Sequence, residues 1–460
     1  MKLVLYVMLL AMLCGLQFGV AQSKFLNWPK GGSRVTVYVS PSGNDGWSGK
    51  LAAPNSGGTD GPFLHISRAQ AYVESLNKTS VSVVAVQLRG GVYQLTAPLS
   101  FTSADNGSTN TEVIYQNYPG ETPIISGGMR VTGWTNVGGN KWQATLPVGT
   151  AYFENLYYNG QRRLRPRLGG YLGQYFRFFK SVYVDASEGG PGTNCPFEDT
   201  SGDANNGLYE CFDRFDYDPD PNDPSSPNND PLPQEWTNLV PAAGNLCGQH
   251  GGNQAIAGDV EILDFEQFNT SKLRVSCVDL AKHRIYLTGP TTISKLNAKE
   301  EGFDRGNRYV VENAENAFSQ PGQWFLDRSA GLLKPWKLTY LALDGENPNV
   351  DEVIIPQSGQ LVVASGLQYV AFLGLTFEHD NYTIPLQGHP SKELEPDISA
   401  AVSFQNSSNI TFYANTVRYI AGVGLDFITC IPDPSGGLTH LRLRWKSVLR
   451  PHKTRQWRGT

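Results

Sequence analysis

Short apolar strands that recur at a fixed interval dominate the second half of the chain. Residues 361–377 read LVVASGLQYVAFLGLTF, and residues 402–417 read VSFQNSSNITFYANTV. When the two copies are aligned at an offset of 40 residues, Phe377 falls opposite Val417. Each copy has alternating apolar positions, a corner of small or polar residues and a second short strand. Period-2 alternation in runs this short is typical of β-strands with tight corners and not of helices.

A unit that recurs in this way cannot bury its apolar stripe alone and has to stack on a copy of itself. The stretches 83–101 and 112–128 have the same two-strand layout, so we expect residues 83–128 and 361–420 to stack as coils of one body. The pattern predicts an all-β fold, a right-handed parallel β-helix. Two unrelated strands of a β-sandwich are the alternative. Upstream, the apolar spacing of residues 66–76 predicts an amphipathic helix that caps the first coil.

The first 21 residues have the features of a secretory signal peptide. Lys2 precedes the apolar run Leu3–Leu16, and small residues at Gly19–Ala21 provide a cleavage site. No later apolar run approaches the length that spans a bilayer. The sequence therefore predicts a secreted protein, extracellular or periplasmic, that is not bound to a membrane after signal cleavage.

In an oxidising compartment, the clustered cysteines predict two disulfides, and the sequence leaves their pairing open. These cysteines are Cys195, Cys211, Cys247 and Cys277. No Cys/His spacing suggests zinc. A cluster of aspartates would allow calcium, but it lacks the EF-hand spacing, and a solvated acidic loop is the preferred interpretation. These aspartates are Asp213, Asp216, Asp218, Asp220 and Asp223. No metal or other cofactor is therefore predicted.

The net charge of −5 conceals an uneven distribution. All 42 acidic residues and 29 of the 37 Lys and Arg residues lie between residues 22 and 435, which gives that region a net charge of −13. An acidic body of this kind disfavours nucleic acid and anionic membranes as partners. The final 25 residues carry seven Lys and Arg residues and no acid.

Several motifs resemble those of a known group of proteins. RGGVYQLTAPLSF (89–101), the triplet DNG (105–107), YQNYPGETPIISGG (115–128) and VTGW (131–134) occur in order at plausible spacing. Together they resemble the opening of pectin-lyase-like right-handed β-helix proteins, which include glycoside hydrolase family 141. FENLYYNGQRRLRPR (153–167) is similar to the β-rich insertion that interrupts the helix in these proteins. The resemblance covers roughly residues 35 to 430.

This resemblance implies a β-helix interrupted by an inserted domain. The expected segments are a signal peptide, a cap helix with the first coils, the insertion, the resumed coils and a basic tail, at 1–21, 22–140, 141–355, 356–430 and 431–460. Residues 436–460 show no strand or helix face, and related proteins continue for further coils. We interpret the tail as the product of a frameshift, a mis-called exon or a truncated gene, with a genuine basic tail as the alternative. We expect the tail to be disordered and the chain to aggregate.

Candidate catalytic residues follow from the geometry of such coils. Coils stack about 4.8 Å apart, so outward carboxylates on nearby coils have the separations that glycoside hydrolysis needs. Asp380 ends the run Glu378-His379-Asp380 after a strand, and Asp426 follows a glycine-rich corner. We predict that Asp380 and Asp426 are the general acid and base and that His379 orients one of them. A solvated loop residue or an Asx-turn is the alternative for each carboxylate.

Two further groups are candidates for substrate binding. Arginine forks suit sugar hydroxyls and uronate carboxylates, and the resemblance implies that Arg165 and Arg167 lie on a hairpin that reaches towards the groove. Glu395 and Asp397 lie in the loop between two coils, which is long enough to form a wall of that groove. A solvated basic hairpin edge is the alternative for the arginines.

The sequence is thus interpreted as an exported carbohydrate-active protein, a glycoside hydrolase that uses two carboxylates on a polysaccharide and that is a monomer if the chain is complete. This reaction is implied by the resemblance, and the carboxylates are compatible with it. The alternatives are a polysaccharide lyase on a uronate-containing glycan, a non-catalytic glycan-binding protein and an inactive fragment.

Overall fold

β-Strands account for almost all the regular structure in the computed structural model of the protein, which confirms the all-β class. Among the described residues there is one α-helix, α1 (Ile66–Ser75), and there are short 3-10 helices at Lys78–Ser80, Ser103–Asp105 and Glu315–Ala317. The structure describes residues 33–169, 175–178, 180–182, 209–210, 214–217, 259–265, 270–288, 294–295, 307–328, 330–331, 333–385, 398–432 and 438–446.

The chain divides into two compact units. The first comprises residues up to 130, residues 354–382 and residues from 398 onwards, and we name it the parallel unit. The second comprises residues 131–353 and 383–397, and we name it the antiparallel unit. In the described part of the chain, no helix is long and apolar enough to cross a membrane.

Three sheets with parallel strands make up most of the parallel unit, and apart from the first and last of these strands the chain visits them in the repeating order A, B, C. Sheet A contains β1 (Arg34–Val39), β2 (Val83–Leu88), β5 (Glu112–Asn117), β26 (Gln368–Leu373) and β29 (Ser408–Tyr413). Sheet B contains β3 (Gly91–Gln94), β6 (Pro123–Ser126), β27 (Thr376–Glu378) and β30 (Thr416–Arg418). Sheet C contains β4 (Leu99–Phe101), β25 (Val362–Ser365), β28 (Ala400–Gln405), β31 (Val423–Pro432) and β32 (Leu438–Lys446).

The alignment predicted from the sequence repeat is the register of the structure. Val370 pairs with Ile410 on sheet A, and Phe377 pairs with Val417 on sheet B. β26 also pairs with β5, β27 with β6 and β25 with β4. The expected pairing of residues 83–128 with residues 361–420 is therefore confirmed, although the whole antiparallel insertion separates them in sequence.

Alternate residues of the three sheets form an apolar core with aromatic rings at its centre. Phe372 stacks on Tyr115 at 5.6 Å between ring centroids and meets Phe101 edge-on at 5.3 Å. Helix α1 contributes Ile66 and Val73 to the same core, as its apolar spacing predicts. Burying a side chain of this size stabilises the fold by about 1.5–3 kcal/mol, so these rings are a large part of the cohesion of the unit.

The corners between sheets use the same backbone conformation in successive passes of the chain. Gly366 and Asn406, which are 40 residues apart, both have positive φ. Asn415 then connects two passes, because its Oδ1 accepts from Leu375 N at 2.8 Å and its Nδ2 donates to Phe372 O at 2.8 Å. These corners satisfy backbone groups that the sheets leave unpaired.

The end of sheet C corrects one expectation. Leu438–Lys446 forms strand β32, which pairs antiparallel with β31 from Val423 to Pro432. The prediction that residues 436–460 contain no regular element is therefore wrong for this stretch. Its reason lies in residues 441–446, LRLRWK, where apolar and basic residues alternate with period 2 as a strand requires.

The antiparallel unit is built around an eight-stranded sheet. Its strands are β12 (Arg167–Leu168), β13 (Phe176–Arg177), β14 (Lys180–Val182), β16 (Arg214–Asp216), β17 (Glu261–Phe265), β18 (Thr270–Asp279), β19 (Arg284–Leu287) and β21 (Arg308–Glu312). A second sheet contains β8 (Thr135–Gly138), β9 (Lys141–Thr145), β22 (Trp324–Asp327) and β23 (Lys337–Leu341). Its remaining strands are β10 (Leu156–Tyr158), β11 (Gln161–Arg163), β15 (Tyr209–Glu210) and β20 (Ser294–Lys295). Two further strands that pair antiparallel with each other, β7 (Gly128–Arg130) and β24 (Val353–Pro356), belong to the parallel unit except for Val353.

One face of the eight-stranded sheet is apolar. Phe178 stacks on Tyr309 at 4.6 Å and meets Phe215 edge-on at 4.7 Å, and Ile262 and Leu273 belong to the same cluster. On β18, an interior strand of the same sheet, Cys277 is buried and disulfide-bonded. Cys195, Cys211 and Cys247 lie outside the described residues, so the two disulfides stay a prediction and their pairing stays open.

Candidate functional site

A polar row runs along sheet B on the face opposite the core. Ser126, Glu378 and Arg418 occupy the same register position on three neighbouring strands. Side chains at one register position of a parallel sheet stack on the same face, so these three side chains are neighbours. Glu378 is buried, and its Oε2 accepts from Arg418 Nε at 2.7 Å. The side chain of Arg418 is 38% exposed, which brings this carboxylate close to solvent.

His379 follows Glu378 at the corner after sheet B and has a left-handed backbone with φ of 64°. Its Nδ1 lies 3.0 Å from Ser126 Oγ and 3.6 Å from Glu378 Oε1, and its ring stacks on Tyr419 at 5.4 Å. A Cβ at position 127 would lie 2.8 Å from the carbonyl oxygen of His379, so this close approach requires the glycine of the ISGG motif.

Burial, together with the positive charge of Arg418, lowers the pKa of His379 to about 4. The imidazole is therefore neutral at neutral pH. A neutral ring can exchange hydrogen bonds with Ser126 and stack on Tyr419, but it carries no charge with which to stabilise a carboxylate. The predicted orienting role of His379 is compatible with these contacts, which fix the ring in one position.

Asp380 is buried directly after His379. It forms an isolated β-bridge with Ser358, and its Oδ1 accepts from the backbone N–H of Ala421 at 2.8 Å. The carboxylate therefore holds the corner that precedes β31. This contact spans 41 residues of sequence and is not the local Asx-turn that the sequence offered as the alternative. The catalytic role of Asp380 stays a prediction.

Asp426 lies on a different sheet. It pairs in register with Ser403 on sheet C, on the face opposite the core residue Phe427, and it is buried. The structure thus brings Glu378, His379 and Asp380 together at the end of sheet B. It places Asp426 on the outer face of the sheet that follows along the chain.

The predicted binding arginines lie in the antiparallel unit, in a network of buried ion pairs. Arg165 donates to Glu261 Oε1 at 3.1 Å and to Glu312 Oε2 at 3.3 Å, and Arg167 donates to Glu312 Oε1. Lys272 Nζ lies 2.8 Å from Glu261 Oε2. These cations are all paired with carboxylates of the fold itself, so their role in substrate binding stays a prediction.

The charges in this network explain how the acids remain ionised. Burial raises the pKa of Glu312, but Lys272, Arg165 and Arg167 more than offset it and lower that pKa to about 2. Burial likewise raises the pKa of Glu261, and the positive charges of Arg165 and Lys272 bring it below its ordinary value. The network is a set of mutually neutralised charges.

Of the other acidic residues predicted from the sequence, only Asp216 belongs to the described part of the chain. Glu395 and Asp397 lie outside the described residues, as do Asp213, Asp218, Asp220 and Asp223. Asp216 is paired with Arg284, whose Nε lies 2.6 Å from Asp216 Oδ1. Within the described ranges, no group of three or more His, Cys, Asp and Glu side chains is arranged to hold a metal ion.

Sequence reasoning missed Ser126, Arg418 and Tyr419. The 40-residue repeat was a signal for two of them, because the same offset that aligns Phe377 with Val417 places Arg418 beside Glu378 and Tyr419 beside His379. For the ion network of the antiparallel unit there was no comparable signal, because its strands do not repeat.

Neither family models nor curated proteins gave a match to this chain. Among solved structures, one titled "Glycoside hydrolase" is similar with a TM-score of 0.60 and 17% sequence identity, over 88% of this chain and 69% of that chain. A second, titled "The complex structure of XylC with xylose", has a TM-score of 0.33 and 14% identity, over 83% of this chain and 41% of that chain. The first likeness shows that the two proteins share a fold.

Proposed function

We propose that this protein is an exported, carbohydrate-active right-handed parallel β-helix protein that hydrolyses glycosidic bonds of a polysaccharide. The repeating order of sheets A, B and C supports the β-helix. The observation that carries the function is the fold likeness to a solved glycoside hydrolase, combined with the polar row that ends in Glu378, His379 and Asp380. The segment boundaries expected from the sequence, with the insertion at 141–355, belong to the same proposal.

In this proposal Asp380 and Asp426 act as the acid–base pair. One carboxyl group protonates the glycosidic oxygen as the bond to the anomeric carbon breaks. The other carboxylate activates water or attacks the anomeric carbon itself, depending on the separation of the pair. Glu378, held by Arg418, supplies negative charge beside the oxocarbenium-like transition state, and His379 keeps this corner rigid.

The test is turnover of a panel of plant and microbial polysaccharides by wild type and by Asp380→Asn and Asp426→Asn. Each variant is expected to lose about 10²–10⁴-fold in kcat, which is the usual contribution of an acid–base group. Glu74→Gln on the exposed face of α1 is the matched control and is expected to keep full activity. Unchanged rates in both aspartate variants would show that the catalytic pair lies elsewhere.

The same assay separates the alternatives, of which a lyase has one observation in its favour. Arg418 is a half-exposed cation beside a carboxylate, a suitable neighbour for the carboxyl group of a uronate. A lyase would leave an unsaturated sugar that absorbs in the ultraviolet, whereas a hydrolase would release reducing ends without that absorbance. Saccharide binding without either product would favour a glycan-binding protein.

A further inference from the structure

Six Asn-x-Ser/Thr sequons occur in the chain, and the proposed hydrolysis makes no use of them. This tripeptide is the acceptor of N-linked glycans in exported proteins. The sequons begin at Asn77, Asn106, Asn269, Asn381, Asn406 and Asn409. Asn269 lies outside the described residues, and the other five belong to the parallel unit. A glycan needs a side-chain amide that reaches solvent, so the structure distinguishes among these five.

Two of the five side chains are enclosed by the fold. Asn106 Oδ1 accepts from Gln368 N at 2.7 Å, and Asn106 Nδ2 donates to Gly366 O at 3.3 Å. A sugar on Asn106 would therefore have to fit into a packed corner between two passes of the chain. Asn381 has a buried Oδ1. The fold disfavours a glycan at both positions.

The remaining three asparagines are exposed, and the fold explains two of them. Asn77 caps a 3-10 helix, because its Oδ1 accepts from Thr79 N at 3.2 Å and from Thr79 Oγ1 at 2.8 Å. Asn406 has a left-handed backbone with φ of 47°, at a corner where the preceding pass has Gly366. Asparagine is one of the few residues that adopt this conformation readily, so the corner itself favours Asn406.

The third exposed asparagine, Asn409, lies on the edge of a sheet. Asn409, Ile410 and Thr411 belong to β29, which is the last strand of sheet A in the described part of the chain. Ile410 is part of the apolar core. The side chains of Asn409 and Thr411 form no hydrogen bond with the described residues. The amide and the hydroxyl that the sequon requires therefore have no structural partner there.

The preceding pass of the chain shows what these two positions require. Tyr369 precedes Asn409 by 40 residues, and the two have nearly the same φ, 55° and 54°. Since a tyrosine adopts this conformation one pass earlier, the backbone alone does not call for an asparagine. Ala371 pairs in register with Thr411, so the second position does not call for a hydroxyl. The sequon thus occurs on the strand at the edge and not on the strand that β29 covers.

An edge strand presents unpaired N–H and C=O groups to which another chain can add a strand, and proteins protect such edges with bulky or polar groups. We propose that Asn409 is N-glycosylated and that its glycan shields the edge of β29. The proposal rests on the export that is part of the proposed function, and it does not depend on hydrolysis.

The donor of the glycan would be an oligosaccharide carried on a lipid diphosphate, the donor class of the secretory pathway. Asn409 Nδ2 attacks the anomeric carbon of the first sugar. The new N–C bond forms as the C–O bond to the diphosphate breaks, the lipid diphosphate leaves with the electron pair, and the amide nitrogen loses one proton to a base of the transferase. No oxidant or reductant is needed.

The experiment uses the full chain, secreted with its own leader from a eukaryotic host that N-glycosylates. Peptide N-glycosidase in heavy-oxygen water converts each glycosylated asparagine to a labelled aspartate, which peptide mass spectrometry locates. We expect label at Asn409 and none at Asn106. Thr411→Ala, which introduces the residue of the preceding pass, is expected to lose the label at Asn409 and to shift the protein from monomer to larger species in size-exclusion chromatography. Thr411→Ser keeps the sequon and should retain both the label and the monomer.

Ser408→Ala is the matched control, because it removes the sequon of Asn406 on the same strand and should leave both readouts as in wild type. Enzymatic trimming of the glycans on folded wild-type protein should give the same shift to larger species without a substitution. Label at other sequons with Asn409 bare, or equal label at Asn106 and Asn409, would overturn the site alone. No label at any sequon would overturn the site and count against export as well. A trimmed protein and a Thr411→Ala variant that both stay monomeric would overturn the shielding role. Neither readout uses hydrolytic activity, so failure of the proposed hydrolysis is distinguished from failure of this site.

Discussion

The two units bury polar groups in opposite ways. In the parallel unit the interior is apolar, with Phe372 among other rings, and the polar row of Ser126, Glu378 and Arg418 lies on the outside. In the antiparallel unit one face of the eight-stranded sheet carries ion pairs that are almost fully buried, such as Arg165 with Glu261. The difference follows from how each sheet is assembled.

In a repeating parallel sheet, side chains at equivalent positions of successive passes are neighbours. A charged side chain at an inward position would therefore lie against the side chain at the equivalent position of the next pass. Apolar and aromatic residues suit such a row, because like neighbours attract one another there. Antiparallel strands without a repeat can set different residues opposite each other, as Glu261 is set opposite Arg274. Buried charge is therefore practical in the antiparallel unit and costly inside the parallel one.

The strongest test of this contrast removes a buried acid. Glu261→Ala would leave Arg165 and Lys272 without their principal partner in a buried site, and we expect the antiparallel unit to lose about 3–5 kcal/mol. Urea unfolding followed by tryptophan fluorescence measures this loss. In the parallel unit, Glu121 pairs with Arg89 with 29% and 28% of their side chains exposed, and Glu121→Ala should cost only about 1 kcal/mol. Equal losses in the two variants would contradict the contrast.

The second test measures how the stability of the parallel unit depends on pH. His379 has a pKa of about 4 in the fold and about 6.5 when unfolded, so between these values the unfolded chain binds more protons. Stability of the parallel unit is therefore complete above pH 6.5 and falls as the pH is lowered towards 4, by about 3 kcal/mol in total. His379→Asn, which suits the left-handed backbone, should remove this dependence. Hydrogen exchange of the β27 amides at a series of pH values measures it.

The antiparallel unit should respond in a lower pH window. Glu312 has its pKa lowered to about 2, so its contribution is present above the unfolded value of 4.5 and is lost as the pH falls towards 2. At pH 5 the antiparallel unit should therefore keep its full stability while the parallel unit has already weakened. Loss of both units in a single pH window would show that another group controls acid unfolding.

The smallest expected loss of stability concerns Asn415, at the corner between sheets A and B. Asn415→Ala would remove the side-chain acceptor of Leu375 N–H and the side-chain donor to the carbonyl of Phe372, and we expect a loss of about 1–3 kcal/mol in the parallel unit. Ser407→Ala removes the acceptor of Leu367 N–H and an exposed donor to Gln405 O, and it should cost about 1 kcal/mol. The order of the two urea midpoints tests whether the side chains at the corners act through these hydrogen bonds.

The fold of the parallel unit could be predicted because its sequence pattern and its physical contacts coincide. The RGG and PGE motifs are joined in the structure, where Arg89 Nη2 donates to Glu121 Oε1 at 2.7 Å and Glu121 Oε2 accepts from Gly90 N at 2.6 Å. Asn106 of the DNG motif likewise accepts from Gln368 N at 2.7 Å across neighbouring strands. Motifs whose residues hydrogen-bond one pass of the chain to the next can be recognised in the sequence, because each such contact requires a particular residue type at a fixed position.

The candidate site could be predicted only in part. Glu378, His379 and Asp380 were found because they end a strand of the repeat, and the structure gathers them at one corner. The burial of Asp380 and its bond to Ala421 N could not be foreseen, since they depend on how the next corner folds back.

The insertion between β6 and β25 also has a consequence during protein synthesis. The strand that pairs with β5 on its outer side is β26, and the ribosome must make residues 131–353 of the antiparallel unit before it reaches β26. At about 5–20 residues per second, this takes on the order of 10–50 s. Throughout that interval the outer edge of β5 has backbone groups ready to pair with another nascent chain. The order of strands in the gene thus makes prompt folding of the inserted unit a condition for completing the sheet that it interrupts.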